Sequence, residues 1–383
     1  MEGKRLDLPA VRLPASTRAL REEVRAFLRD ELADYPAHLR AKSWLAFDPD
    51  FSRKVAARGW VGMAWPTAHG GGGRSLLERY VVIEEMLAAG APVAAHWTGD
   101  RQSGPMLIMH GTEQQRRRFL PALRKAEIFF CIGMSESDAG SDLASVRTRG
   151  RRVDGGWSVS GAKLWTSNAH RSDYMIALVR TADLSEGKHA GLSQFLIDMS
   201  SKGITTRPIR DLTGEDHFNE VVLDEVFVPD DMVIGKPGEG WAQVTSELAL
   251  ERSGPERFMS SLPLLFAAIP MLKARGYRGP AFGRLVAHLM TLRQMSVAVA
   301  TMLDAGDRTP ALEAALVKDL GMDFEQMVPS VLEDLLDVEP RLLESEDLAR
   351  MLGMVTTLAP SYSIRGGTRE ILRGIIAKGV GGR

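Results

Sequence analysis

Four short stretches carry the side chains best suited to chemistry. Glu251-Arg252 sets a carboxylate beside a guanidinium. At roughly 100° per residue, Trp241, Val244 and Leu248 form an apolar stripe along a helix, and Glu251 lies at its edge. Glu247 sits about 40° farther round and is the less buried of the two on this geometry. A carboxylate in an apolar, water-poor setting has its pKa pushed upward, which suits a general base near neutral pH. A plain ion pair with a nearby arginine would use the same residue. The second stretch, Met134-Ser-Glu-Ser-Asp-Ala-Gly-Ser-Asp142, offers hydroxyls at Ser135 and Ser141. Read alone, Ser135 is a strand end and Gly140-Ser141-Asp142 a turn or helix cap. The third, Lys163-Leu-Trp-Thr-Ser-Asn168, adds the indole of Trp165 and the hydroxyl of Ser167. A lone tryptophan is more often core than a cofactor wall. The fourth, Ile364-Arg-Gly-Gly-Thr368, has little side-chain chemistry but leaves backbone N–H groups accessible.

Other chemistries find no footing. The eight histidines form no His-x3–4-His pair, and a single cysteine rules out a Cys-rich zinc site. No Gly-x-Ser-x-Gly elbow exists for a hydrolase. Four glycines in Pro66-Thr-Ala-His-Gly-Gly-Gly-Gly-Arg74 read as a flexible loop, and no Lys-Ser/Thr follows as a phosphate-binding loop requires. Cys131, after Phe129-Phe130, reads as a buried inert thiol and cannot form an internal disulfide.

These residues need elements to position them. A chain of 383 residues is long enough for two or three domains. Its 44% hydrophobic and 25% charged content is that of an ordinary globular protein, and a net charge of −1 argues against a broad nucleic-acid surface. No apolar run reaches the ~18–20 residues of a spanning helix, and the N-terminus lacks an apolar signal core, so a cytoplasmic protein without a membrane partner is expected. Helical spacing marks residues 17–32, 80–89 and 114–123. Short apolar and β-branched runs at 157–159, 174–180, 192–197 and 220–228, separated by turn residues, predict a small antiparallel β domain, barrel or sandwich. Helical pattern returns at 241–251, 283–303, 312–327 and 342–358. The expected fold is α+β and multi-domain: an N-terminal helical domain over 1–126, a middle β domain over 127–236, and a C-terminal four-helix bundle over 237–383.

That order, with five local segments in sequence, resembles the acyl-CoA dehydrogenase family over nearly the whole chain. The segments are Gly111-Thr-Glu-Gln-Gln-Arg-Arg-Arg-Phe-Leu-Pro121, the stretch 130–142, Val159-Ser-Gly-Ala-Lys-Leu-Trp-Thr-Ser-Asn168, Val228-Pro-Asp-Asp-Met-Val-Ile-Gly235 and Gly367-Thr-Arg-Glu-Ile-Leu-Arg373. The resemblance implies α,β-dehydrogenation of an acyl-CoA thioester. A base removes the α-proton and FAD takes the β-hydrogen as hydride, because no side chain accepts a hydride reversibly. It places Met134 and Ser135 on the flavin edge, Trp165 beside the flavin ring, Ser167 near its N5 and Thr368 on the cofactor. Ser141 falls on the CoA portion and Arg252 near the substrate. The backbone N–H of Gly366 falls where the thioester oxygen is held as enolate character develops.

The pattern also departs from the family. The common catalytic glutamate position is Gly366 here. One branch carries the base instead on the first long helix of the C-terminal domain, just before an arginine, and Glu251 occupies that place. The family's Gly-Gly-x-Gly stretch is absent from Leu352-Gly-Met-Val-Thr-Thr-Leu-Ala-Pro360. Its Arg-x-x-Phe-Gly is only approximated by Arg278-Gly-Pro-Ala-Phe-Gly283, one residue too long. Such losses resemble a bacterial branch working in α2β2 pairs with one degenerate subunit. The expected assembly is therefore a homotetramer or an α2β2 heterotetramer, handing electrons to an electron-transfer flavoprotein-like acceptor. A non-catalytic partner subunit is the alternative. Ser253-Gly-Pro255 should break or kink the helix after Glu251, either as a simple bend or as a kink that opens the acyl pocket to a bulky or ring-bearing chain.

Overall fold

The structure is a computed structural model. It describes residues 6, 8–183, 187–306, 310–336 and 345–381, with residues 247–251 described by their backbone alone. The first helices are α1 (Ser16–Glu31), α2 (Pro49–Ala57), α3 (Leu76–Ala89), α4 (Ala94–Thr98), α5 (Gly104–His110) and α6 (Glu113–Arg124). Strands follow: β1 (Phe130–Gly133), β2 (Arg149–Val153), β3 (Gly156–Lys163), β4 (Tyr174–Arg180), β5 (Leu192–Asp198), β6 (Ile204–Ile209), β7 (Phe218–Pro229) and β8 (Val233–Ile234). Helices return as α7 (Gly240–Glu251), α8 (Leu262–Ala274), α9 (Pro280–Ala305), α10 (Ala311–Leu336), α11 (Glu346–Leu358) and α12 (Arg369–Gly379). The order is helical, β, helical, as the sequence predicts.

The chain divides into two compact units that interleave in sequence. One gathers Met1–Ala46, Arg74–Ala94 and Ala249–Arg383; the other gathers Phe47–Gly73 and Ala95–Leu248.

In the helical unit, α1 buries Leu20, Val24, Phe27 and Leu28, one stripe at helical spacing. It packs on α3, and α3 packs on α9. A capping box between Ser75 and Glu78 fixes where α3 begins. Buried Glu84 and Glu85 on α3 tie three elements together. Arg21 bonds both carboxylates, Arg25 Nε reaches Glu85 at 2.8 Å, and Arg293 Nε of α9 reaches Glu84 at 2.5 Å. Removing one side of such a buried pair typically costs about 3–5 kcal/mol, because the other charge stays buried.

The sequence shows no spanning run by eye, yet α9 is long and apolar enough to cross a membrane by length and composition, with a mean hydropathy of 1.2. Single polar residues such as Thr291, Arg293 and Gln294 interrupt the run without lowering the average far. Within its unit α9 packs on α3 and α10 and buries Leu285, Leu292 and Val297–Val299. The proline after α7 acts as the sequence predicts. After α7 ends at Glu251, Pro255 opens a 3-10 turn, Pro255–Arg257. Pro270 is carried inside α8.

The second unit is built on one sheet, in the order β6-β7-β3-β2-β4-β5-β8, with β1 paired to β4 in parallel. β4 and β5 are buried along nearly their whole length; β4 reads in sequence as an apolar run, Tyr174–Val179, whereas β5 also buries the polar Ser193 and Gln194. Met175 of β4 and Phe195 of β5 join Val159, Val221 and Val226 in one core cluster. Cys131 of β1 is fully buried, and burial pushes its thiol up to about 12.

The four-glycine loop is not the flexible tether expected. The N–H groups of Gly71, Gly72 and Gly73 donate to the carbonyls of Pro66, Gly62 and Trp65. A Cβ on Gly71 would lie 2.1 Å from the Trp65 carbonyl oxygen, and one on Gly72 2.6 Å from that of Met63. Gly71 and Gly72 are there for close backbone approach, whereas a Cβ on Gly70 would meet open space.

Candidate active site

The expected site residues fall into two groups, one in each unit. In the β unit, β1 runs parallel to β4 and delivers the chain to Met134 and Ser135. Leu164 N–H donates to the Ser135 carbonyl at 2.8 Å, joining the second and third sequence stretches directly. Beneath them lies a buried ion pair that the sequence did not single out. The Nζ of Lys163, fully buried, donates to Glu136 Oε1 at 2.7 Å and to the Met134 carbonyl at 3.2 Å. Glu136 also accepts from the N–H groups of Arg147 at 2.6 Å and Thr148 at 3.0 Å. Burial lowers the Lys163 ammonium to about 8 against the pull of Glu136. Burial alone would raise the Glu136 carboxyl, but the charge and hydrogen bond of Lys163 outweigh it and hold the group below its usual range. Both partners are therefore charged at neutral pH.

Past Lys163 the chain makes a strained turn. Trp165 has φ 61°, a left-handed backbone that a bulky L-residue rarely adopts. Thr166 N–H donates to the Asn219 carbonyl at 3.0 Å, and the Asn219 amide returns a bond to the Thr166 carbonyl at 3.0 Å. Held this way, the Trp165 indole stands 56% exposed, its edge against Phe218 with ring centroids 6.0 Å apart. A large indole this exposed, on a conformation costing about 1–3 kcal/mol, is the kind of strain found at ligand sites. Ser167, two residues on, is half-buried, as is Ser135, whose carbonyl is bonded to the neighbouring Leu164; Ser141 is exposed beside Asp142, which is paired to Lys188 at 2.7 Å. An accessible indole, flanking hydroxyls and a strand backbone fit the ring and edge of a flavin.

In the helical unit, Glu251 is the last residue of α7, and its side chain lies outside the described residues. Arg252 follows and is buried. Its Nη2 lies 3.4 Å from where a Cβ on Gly367 would be, so the guanidinium stands against this glycine at ordinary contact distance. Gly366 and Gly367 have φ values of 61° and 100°, open to glycine and strained for other residues. Thr368 is the N-cap of α12. Fully buried Glu325 of α10 anchors the segment. It accepts from Arg365 Nη2 at 2.5 Å and from Ser260 N–H at 2.8 Å. The Arg365 guanidinium also lies 4.7 Å from the ring centroids of both Trp44 and Tyr362. Buried Lys318, on the same helix, donates to the carbonyls of Arg365 and Gly367. Sequence reading passed over Lys318 and Glu325. The available signal was their spacing: with Ala314 and Gly321 they share one buried stripe of α10.

Comparison with known proteins agrees with this architecture. The family models for the acyl-CoA dehydrogenase N-terminal domain and middle domain match residues 14–127 and 131–226. The chain is 31% identical to acyl-CoA dehydrogenase FadE29 of Mycobacterium tuberculosis, over 85% of this chain and 86% of that one. It is 33% identical to FadE34 of the same organism over 92% of this chain, but spans only 48% of that relative's length. Its fold matches the solved structure titled Tcur3481-Tcur3483 steroid ACAD with a TM-score of 0.84 and 28% identity, covering 97% of this chain and 98% of that one. The chain belongs to the acyl-CoA dehydrogenase family.

Proposed function

We propose that the chain catalyses FAD-dependent α,β-dehydrogenation of an acyl-CoA thioester to the 2-enoyl-CoA. The observation that carries this reading is the exposed Trp165 indole, held on a strained backbone beside the paired Ser135 and Leu164. FAD, when bound, supplies the acceptor for the β-hydrogen at its N5.

The protein's own residues do the rest. Glu251 takes the α-proton as general base. The Gly366 N–H donates to the thioester oxygen as negative charge gathers there. Arg252, buried against Gly367, supplies positive charge near that oxygen. Trp165 shields the ring from water, Met134 and Ser135 hold its edge, Ser167 bonds near N5, and Thr368 contacts the cofactor from its helix cap. Ser141 meets the CoA portion.

A ring-bearing, steroid-like acyl group is the substrate class proposed. Two things support it: α7 stops at Glu251 before Ser253-Gly-Pro255, and a relative is titled a steroid ACAD. The electron acceptor would be an electron-transfer flavoprotein, in the cytoplasm, with the chain in a homotetramer or an α2β2 pair. A second reading, a non-catalytic partner subunit, is favoured by Gly366 at the common base position. One experiment separates them. The purified protein should be yellow, and a panel of straight, branched and steroid-like acyl-CoAs added without oxygen should include one that bleaches it. A yellow protein that no thioester bleaches supports the partner reading. Bleaching only by short straight chains rejects the steroid-like substrate.

A further inference from the structure

We propose that Lys318 is the positioning residue for the thioester-oxygen donor, turning the N–H groups of Gly366 and Thr368 to the face of the segment opposite its own. The inference deepens the dehydrogenase reading and rests on it.

Lys318 is fully buried in the middle of α10. A buried ammonium needs acceptors. Its Nζ donates to the Gly367 carbonyl at 2.6 Å and to the Arg365 carbonyl. No peptide bond among the described residues is cis. In a planar trans peptide the N–H points opposite to the C=O of the same unit. The Arg365 carbonyl shares its plane with the Gly366 N–H, and the Gly367 carbonyl with the Thr368 N–H. Two carbonyls converging on one ammonium therefore send two N–H groups out from the opposite side of the segment. Among the described residues, neither N–H donates to a backbone carbonyl. The positive φ angles of Gly366 and Gly367 allow the alternating turn this requires.

The frame around the pair is rigid. Arg365 is locked by Glu325 and Ser260 at 2.5 and 3.0 Å, and by two aromatic rings. Thr368 opens α12, whose aligned peptide dipoles add positive potential at the same end. The Arg252 guanidinium stands against Gly367. Fixed donors with fixed positive charge close by favour an enolate oxygen over a neutral carbonyl. Three donor hydrogens on a compact charge let one lysine hold two carbonyls at once.

The test uses flavin-loaded protein in the assembly in which it purifies, with acetoacetyl-CoA as an enolisable probe. Hydrogen exchange at the amides of 366 and 368 in the unaltered protein should slow when the probe binds. Lys318→Met should raise the pKa of the bound probe by one unit or more. It should cut kcat about 100-fold, the loss typical of a missing oxyanion donor, with KM changed far less. Lys318→Arg, which keeps the donors, should recover part of both. Exchange unchanged by a probe that binds overturns the proposal, as does a Lys318→Met protein with the original probe pKa and kcat. If Lys318→Met fails to fold, the exchange measurement decides. A protein that binds neither flavin nor acyl-CoA overturns the dehydrogenase reading itself. One that turns over with 366 and 368 unprotected overturns only the role of Lys318.

Discussion

Each unit holds its candidate segment on a fully buried lysine, but the two present different chemistry. In the β unit, Lys163 is paired with the Glu136 carboxylate and steadies strands that display side chains: the Trp165 indole and the Ser135 and Ser167 hydroxyls. In the helical unit, Lys318 bonds backbone carbonyls and steadies a glycine pair whose usable groups are backbone amides. A side-chain site is lost by substitution at the displayed residue. A backbone site survives such changes and is lost when its support moves. On the proposed reading, position 366 would lack the usual glutamate and still serve through its N–H, with the proton taken elsewhere.

The sharpest test of that division is Glu251→Gln. It should retain flavin absorbance but lose about 100- to 10,000-fold in kcat, the range of a general base; near-normal turnover would place the base elsewhere and break the contrast. Next in size is Lys163→Met, which leaves Glu136 buried and unpaired. It should lose about 3–5 kcal/mol in denaturant unfolding and much of its flavin affinity. A loss below ~1 kcal/mol would mean that Glu136 leans on the Arg147 and Thr148 amides instead.

Smaller effects follow from pH. The Glu136 carboxyl is held low when folded, so its contribution is complete above the ordinary glutamate range and is lost as pH falls through its folded value. Glu136→Gln should flatten that acid limb. On the alkaline side, the unfolded chain holds the Lys163 proton more tightly than the folded one, from pH about 8 up to 10.5. That residue alone should make stability rise with pH there, and Lys163→Met should remove the rise. The smallest effect is expected at the glycine pair. Gly366→Ala should cost about 1–2 kcal/mol, from the left-handed backbone, and should keep its N–H. A large kcat loss with unchanged stability would show that the missing side chain matters, not the backbone alone.

Much of this architecture is legible in the residues. β4 is read at its observed bounds, because the run Tyr174–Val179 is apolar or aromatic and Arg180 ends it. α1, α3 and α6 carry clear helical stripes or capping boxes. The candidate residues that the sequence names are those with distinctive side chains, such as Trp165, because a motif names a residue type. The supports were not. Lys163 stands inside a quoted motif, yet nothing in Gly-Ala-Lys-Leu-Trp says that its ammonium turns inward to a glutamate 27 positions back. Lys318 and Glu325 are ordinary charged residues on a helix until tertiary packing buries them. The glycine loop misled for a related reason: composition shows that a residue is small, not what its smallness makes room for.

The lone cysteine has a practical consequence. Cys131 is sealed in the sheet with its thiol raised to about 12, so it should be silent toward maleimides at neutral pH. The native sequence can then serve as its own cysteine-free background. A reporter thiol introduced at exposed Ser141 would be modified alone, and a dye or spin label there could follow thioester arrival without any prior removal of native cysteine.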